Sequence, residues 1–440
     1  MANTWISRTH GSTATSAYKY TISLWVKRSQ ISSRSHFVRV INPSATSYYM
    51  YFEFQADDKL HFYDNNSNGG LERATNNLLR DVNGWYHLMA VVDTTQATAS
   101  NRVKLYINSE EPTYSSTTHT NGQNTAVVGN ENGKTFYIGA DGSVPTRYFS
   151  GSISHFHFCD GYAYSPSDFG STDSTTGEWK INTSPSVNYG TNGFFVLKDG
   201  NSLTDNSSNT NNFTVANGTL TKTEDNPSNV FNTFNPLDNY YESGEFTNGN
   251  TTYKSGAGSS VYARNTSTLG MTKGKFYWEV KPVAVNTSGD YYPVVGISST
   301  QVTGATDWLG KSANDYGLQT SSNLSTVQKM NNNSGTTWGL PITINDICGV
   351  AVDLDNRKIY FSKNGTWMES GDPTSGSTGT GSAFTITAPA DTPLGAYFPS
   401  VSNYDGTGWV RFETNFGNGY FGTTAVSSAG TNASGNGIFE

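Results

Sequence analysis

The chain has two cysteines in 440 residues, Cys159 and Cys348, and no CxxC pair. That excludes a disulfide framework and zinc-ribbon spacing, and it fits assembly in a reducing cytoplasm. Charge is scarce as well: 14% of residues are Asp, Glu, Lys or Arg, against roughly 25% in an average soluble domain. Net charge is -8, and there is no Lys/Arg run or basic stripe with interleaved aromatics. Nucleic acid is therefore not an expected partner, because neutralising phosphates needs clustered cations. No run approaches the ~18 apolar residues of a membrane helix, so no membrane insertion is expected. The opening "MANTWISRTHGS" lacks a basic segment followed by an apolar core, so no secretion signal is expected. A sustained heptad and a Gly-X-Y repeat are both missing, which excludes a coiled-coil stalk or a collagen-like one within these residues. Helical patterning is rare. One short turn is expected at "SPSDF", with Ser165 as cap and Pro166 at the first helical position.

What fills the space is Gly, Ser, Thr and Asn, together with 13% aromatic residues. Aromatics favour strands, and the small polar residues favour tight turns. Alternating segments run through the first part: "YKYTISLWVKRS", "SHFVRVI", "YYMYFEFQ" and "KLHFYDN". In the first of these, Tyr20, Ile22, Leu24 and Val26 share one face by the period of two. Residues 171–250 change character and become mostly small and polar, and "FNPLD" reads as an extended, Pro-restricted piece. Strands return at "GKFYWEVKPV" and continue to "WVRFETNFG". The fold class is thus all-β: two antiparallel β-sandwich (jelly-roll) domains joined by a polar, partly extended linker. The expected boundaries are 1–200 for the first sandwich, 201–250 for the linker, 251–425 for the second sandwich and 426–440 for a flexible Gly/Ser/Asn-rich tail.

One phrase occurs twice. "GVAVDLDNRKIYFSKNG" and "MAVVDTTQATASNRVKLYINSE" both read apolar run, Asp, turn, then Lys-apolar-Tyr-apolar. Val350, Val352 and Leu354 face one way, and Ile359 and Phe361 return on the same face after a tight turn. That pattern predicts a hairpin. The upstream copy places Val103, Leu105 and Ile107 inward. The flanking sequences differ, so the phrase marks a scaffold element shared by two sandwiches and not a duplicated site.

The ordered motifs "GKFYWEV", "VVGIS", "YGLQ", "DICGVAVDLDNRKIYFSKNG", "LGAYFPSVS" and "VRFETNFG" resemble a SPRY domain. The first part, with "YTISLWVKRS", "GWYHLMAVVD", "YIGADG" and "FSGSISHFHFCDGYAYSPSDFG", resembles a laminin-G-like, concanavalin-A-like jelly roll. The spacer, with "GEWK", "NNFT" and "DNPSNVFNTFNPLD", is similar to segments of tailed-phage virion proteins, particularly of marine phages. The resemblance implies a non-enzymatic virion structural protein on the particle surface, a tail fibre or appendage component that contributes to host recognition. Its implied partners are other virion proteins and a host cell-surface glycan or protein. A homo-oligomer is expected, with avidity from many weak sites, and so is a location in the virion after assembly in the host cytoplasm. The alternatives are a capsid-decorating or appendage-assembly protein and, behind it, a polysaccharide depolymerase.

Laminin-G-like modules often hold calcium, and Asp141 in "GADG" is the candidate ligand. One carboxylate in a Gly turn does not supply the six to eight oxygens calcium takes, so no cofactor is expected beyond that ion. In "SHFHFCD", His155, His157 and Cys159 share one face of a strand, a set able to hold zinc. Their spacing of about 6–7 Å along a strand works against convergence on one ion. Glycoside hydrolysis needs two flanking carboxylates. The alternating Glu-x-Asp-x-x-Glu strand of jelly-roll glucanases is missing, and Glu53, Asp57 and Asp58 read as solvent-facing acids on an edge strand. There is no GxSxG, HExxH or P-loop either. Carbohydrate or protein binding is assigned instead to aromatics at loop or strand-end positions: Trp308, Trp338, Trp367, Tyr404 and Trp409. Trp25, Trp85 and Trp278 sit within strands and read as core.

Overall fold

The computed structural model describes residues 4–142, 147–198, 200–239, 244–256, 261–285, 291–304, 306–321, 326–406, 408–430 and 437–440, with the side chains of 45–46, 261 and 404–406 outside that description. The chain is all-β and forms two compact units, 1–230 and 231–440.

Unit 1 is a sandwich of two antiparallel sheets. One is eight-stranded, in the order Thr214–Asn217, Trp5–Thr9, Thr135–Ile138, Ser35–Asn42, Ala45–Phe54, Lys59–Asn66, Gly69–Leu78, Tyr114–His119. The other is five-stranded, in the order Phe194–Val196, Gly151–Asp160, Lys19–Arg28, Tyr86–Asp93, Val103–Ile107. Alternate residues of each strand meet between the sheets. Tyr20, Ile22, Leu24 and Val26 join Val38, Val40, Met50, Phe52, Phe62 and Phe136 in one core, as the period of two requires. Phe136 is the aromatic hub, with Phe156, Phe158, Phe194 and Phe213 around it.

The five-stranded sheet is covered on its outer face too, which explains why Lys19–Arg28 is buried at every position after its first. Residues 161–192 form the cover. Thr21 Oγ1 donates to the Tyr162 carbonyl at 2.9 Å and accepts the Tyr164 N–H at 3.0 Å. Phe169 packs with Met89 and Cys159 beneath Tyr162, Tyr164 and Tyr189. The "SPSDF" turn forms as expected, a short 3₁₀ turn at Pro166–Asp168 in which Asp168 accepts the Ser165 N–H at 2.8 Å. Trp25 and Trp85 are buried, but Trp25 lies on this covered face, stacked on His87 at 5.1 Å.

The stretch read as a linker is divided between the units. Thr214–Asn217 pairs with Trp5–Thr9, and Phe213 enters the first core. Asp225 takes Lys27 at 2.6 Å and the Trp85 indole N–H at 2.9 Å. From residue 231 onward the chain belongs to unit 2, where Phe234 packs on Tyr253 and Phe416. A few anchoring side chains therefore fix a segment whose composition reads as a linker.

Unit 2 is a second sandwich. Its first sheet runs Glu245–Thr247, Thr252–Lys254, Val410–Asn415, Lys275–Val285, Cys348–Asp353, Lys358–Lys363, Thr366–Trp367, and Phe384–Thr385 also pairs with Lys358–Lys363. The second runs Val261–Thr266, Phe398–Gly406, Pro293–Ser298, Asp315–Thr320, Val327–Asn331, Ser334–Thr337. The repeated phrase forms the expected hairpin in both units. Val350 pairs with Phe361 and Val352 with Ile359, while upstream Val92 pairs with Val103. Trp278 is buried in the second core. Of the expected tail, the described end is docked: Ile438 N–H donates to the Gly417 carbonyl at 2.9 Å, and the Phe439 ring lies 5.0 Å from Tyr277.

Candidate functional site

The strand Ala45–Phe54 sends Met50, Phe52 and Phe54 into the core and therefore Tyr49, Tyr51 and Glu53 to the outer face of the eight-stranded sheet. Register then builds a row across five strands of that face: Tyr137, Arg39, Tyr51, Tyr63 and Glu72 stand directly opposite one another in turn. A second row beside it runs Ile41, Tyr49, Asn65, Gly70. The rings of Tyr49, Tyr51 and Tyr63 lie 5.5–6.0 Å from one another and form a platform. The Arg39 guanidinium lies over Tyr49, 4.0 Å from its centroid, which holds both planes in place. Gly70 fits this face because a Cβ there would meet the Tyr63 ring at 3.0 Å. Tyr49 and Tyr63 are half-buried, so ring surface remains open to a ligand.

A third row, His36, Glu53, His61, supports the platform from one side. Glu53 is fully buried, which corrects the expectation that it is a solvent-facing acid on an edge strand. Its strand lies inside the sheet between Ser35–Asn42 and Lys59–Asn66. Asp58 is buried as well, paired with Arg28 at 3.0 Å and Arg80 at 2.8 Å, and only Asp57 stays exposed. The Glu53 carboxylate takes Arg34 Nε at 2.8 Å, His36 Nε2 at 2.5 Å and His61 Nδ1 at 3.2 Å. Burial alone would raise its pKa, but these three partners outweigh burial and hold it well below the usual carboxylate range. His61 Nε2 in turn faces Glu72 Oε1 at 2.9 Å. His36 and His61 both pack on the Tyr51 ring, at 5.6 and 5.1 Å. With both oxygens engaged and no exposure, Glu53 lacks the access a general acid or nucleophile needs. It acts as an anchor that orients the side chains under Tyr51.

The metal candidates do not come together. Asp141 faces Arg39 Nε at 3.6 Å, Arg147 Nη1 at 3.8 Å and His36 Nδ1 at 3.9 Å, a surround of two guanidiniums and an imidazole unsuited to calcium, which binds oxygen ligands. His155 sits at a β-bulge with φ of 47°, where the pairing register with Lys19–Arg28 shifts. His157 stacks on Phe195 at 3.9 Å, with its Nδ1 2.9 Å from the Tyr189 hydroxyl, and burial drives its pKa well down. Cys159 is sealed under Phe169, and burial pushes its thiol up. Among the described residues, no group of three or more His, Cys, Asp and Glu is arranged to hold a metal. Cys348, fully buried in unit 2, is likewise pushed up, to about 12. Both thiols are expected to resist a thiol-specific reagent in the native protein and to react fully after denaturation. A native thiol reacting within minutes would contradict this placement.

A further histidine that sequence reasoning did not single out lies on the covered face. His87 is stacked between Trp25 and Trp179. The Trp179 indole N–H donates to His87 Nδ1 at 3.0 Å, so the ring proton sits on Nε2 and reaches Ser23 Oγ at 2.8 Å. Burial lowers its pKa to about 3, and it is a neutral structural group.

The aromatics assigned to binding in unit 2 are dispersed. Trp308 is buried. Trp338 is half-buried and lies edge-on to Phe361 at 6.1 Å. Trp367 is half-buried between Tyr277 and Tyr360, at 6.1 and 6.5 Å. Phe361 and Tyr360 are consecutive on one strand and so point to opposite faces, which keeps Trp338 and Trp367 apart. The Tyr404 side chain lies outside the described residues. Trp409 is half-buried, with Lys254 Nζ 5.0 Å and the Arg411 guanidinium 5.6 Å from its ring centroid. The tyrosine platform is the aromatic cluster that sequence reasoning missed. Its signal is present in "YYMYFEF", where aromatic residues occupy both parities of one strand.

Residues 2–168 match the family of concanavalin A-like lectins and glucanases, in its laminin G type, and residues 275–415 match the SPRY domain family. No curated protein matches the chain. Among solved structures it is similar to the SPRY domain of human HERC1, at 19% identity over 41% of this chain and 96% of that one, with a TM-score of 0.31. It is also similar to domains LG4-5 of the mouse laminin alpha1 chain, at 8% identity over 97% and 92%, with a TM-score of 0.30. A third likeness is to the heptameric SAP-like pentraxin of Limulus polyphemus, at 14% identity over 49% and 90%, with a TM-score of 0.31.

Proposed function

We propose that this chain, which carries a laminin G-type concanavalin A-like domain followed by a SPRY domain, is a non-enzymatic structural protein of a virion surface. Its role is that of a tail fibre or appendage component that binds glycans on the host. The observation that carries the binding reading is the platform of Tyr49, Tyr51 and Tyr63 on an outer sheet face. Flat rings stack on the apolar face of a sugar, and hydroxyls need polar groups at the rim. Arg34, Asn65 and Glu72 stand at that rim, all partly exposed. The engagement of both Glu53 oxygens supports binding without hydrolysis. The virion assignment rests on the order of the two domains and on the Asn/Ser/Thr-rich spacer between them.

Tyr49→Ala and Tyr63→Ala are each expected to weaken binding of the best glycan on an array about tenfold, since one stacked ring contributes on the order of 1.4 kcal/mol. Unchanged binding in both variants would reject the platform as the glycan site. Immunogold labelling of particles distinguishes appendage from head, and label confined to the capsid would favour the decoration role.

A further inference from the structure

A second polar hollow lies in unit 2, on the outer face of the first strands of its larger sheet. It is open to solvent, with ≈ 350 Å³ of empty space. Register explains its lining. Glu245, Lys254 and Arg411 form one cross-strand row, and Thr247, Thr252 and Glu413 form the next. Arg411 and Glu413 alternate along Val410–Asn415 and stand on this face, and the Trp409 ring just before that strand lies beside Lys254 and Arg411.

The charges in the hollow are unevenly matched. Lys254 and Glu245 neutralise each other at 2.5 Å. Arg411 and Glu413 are more loosely matched: among the described residues neither makes an ion pair within 4 Å, although Glu413 feels both Arg411 and Lys281, which stands opposite it across the sheet. The Trp409 indole holds the Arg411 guanidinium by a cation–π contact, which places it while leaving its N–H groups available. Glu413 is half-buried, and burial raises its pKa despite Lys281 and Arg411 nearby. Its carboxylate oxygens accept hydrogen bonds from ligand hydroxyls. Thr247 adds a hydroxyl and Asn248 an amide to the lining, while Thr252, buried on the floor, accepts Asn248 Nδ2 at 3.0 Å.

We infer that this hollow binds a carboxylate-bearing sugar residue, a hexuronate or sialate. The ligand carboxylate takes the Arg411 fork in the bidentate geometry that guanidinium offers. Ring hydroxyls of the same residue reach Glu413, Thr247 and Asn248, which line the same hollow. A free peptide carboxylate would satisfy Arg411 but leave the hydroxyl-matching groups without partners, so the sugar is the better fit. The site is separate from the tyrosine platform, which lies on another unit, and each can fail without the other.

Titration calorimetry of the full chain with galacturonate trimer and with sialyllactose tests this, with the galacturonate methyl ester and lactose as neutral counterparts. At least one acidic probe is expected to bind at least tenfold more tightly than its neutral counterpart, with affinity falling as salt rises. Arg411→Gln should abolish that preference, and Trp409→Phe should reduce it while the fold stays intact by melting temperature. The Tyr63→Ala variant should leave it unchanged. Equal binding of acid and neutral probes, no effect of R411Q, or tighter binding of a free-carboxylate peptide than of either sugar would each overturn the assignment.

Discussion

Glu53→Ala is expected to lower the stability of unit 1 by about 3–5 kcal/mol, the range seen when one partner of a buried charge cluster is removed. The substitution leaves His36 fully buried beside Asp141 and strips Arg34 and His61 of the carboxylate that positions them. Glu53→Gln keeps the shape and isolates the charge. The pH dependence carries the sign. Glu53 has a depressed pKa in the folded chain, so its stabilisation is complete above its unfolded value of about 4.5 and is lost as pH falls below it. His36 is also depressed, chiefly by burial, and its contribution is lost as pH falls below about 6.5. Asp64 acts in the opposite sense. Burial raises it to about 6 against the donors Val128 N–H, Tyr20 and Gly129 N–H, so it favours the folded state at low pH. The comparison is therefore variant against parent at each pH. E53Q should lose the step below pH 4.5 and keep the step below 6.5. Urea melts of the full chain, followed by a unit 1 signal such as Trp25 and Trp85 fluorescence, would show it. Superimposable pH profiles would remove Glu53 from its role as anchor.

Ending the first unit at residue 200 is expected to abolish its cooperative unfolding, whereas ending it at 230 should preserve it. The composition of 201–230 invites the shorter choice. That choice removes the edge strand Thr214–Asn217, takes Phe213 from its contacts with Phe136 and Phe194, and leaves Lys27 buried without Asp225. Loss of a buried aromatic costs about 3–5 kcal/mol and removal of one partner of a buried ion pair a similar amount, against a total domain stability of about 5–15 kcal/mol. Asp225→Ala in the full chain gives the smaller version of the same effect, on the order of 3–5 kcal/mol in unit 1 alone. A 1–200 fragment melting as sharply as 1–230 would show that the later segment merely lies on the surface.

These two predictions mark where sequence reading succeeds and where it stops. Strand identity and inward parity follow from strict alternation, so Tyr20–Val26 and the Val350–Phe361 hairpin were legible. Whether a strand is central or at an edge depends on pairing across long separations, and alternation is silent about that. Alternation alone therefore reads Glu53 as exposed, although the strands flanking it bury it. The platform has the same origin. Tyr137, Arg39 and Tyr51 are neighbours only through register between distant strands. The 201–230 segment illustrates a different limit, because a few anchors such as Phe213 and Asp225 fix it while composition averages over thirty residues. Among the unit 2 aromatics, Trp409 was legible as a strand-end ring. What the ring holds, Arg411 at 5.6 Å, depends on side-chain placement.

The cover formed by residues 161–192 has one more consequence. It roofs the outer face of the five-stranded sheet, while the half-buried rings of Tyr49 and Tyr63 stand on the outer face of the eight-stranded one. The first sandwich therefore has a front and a back. If the platform binds as proposed, it does so from one side of that sandwich only, and avidity among several copies would require their platforms to face the same way.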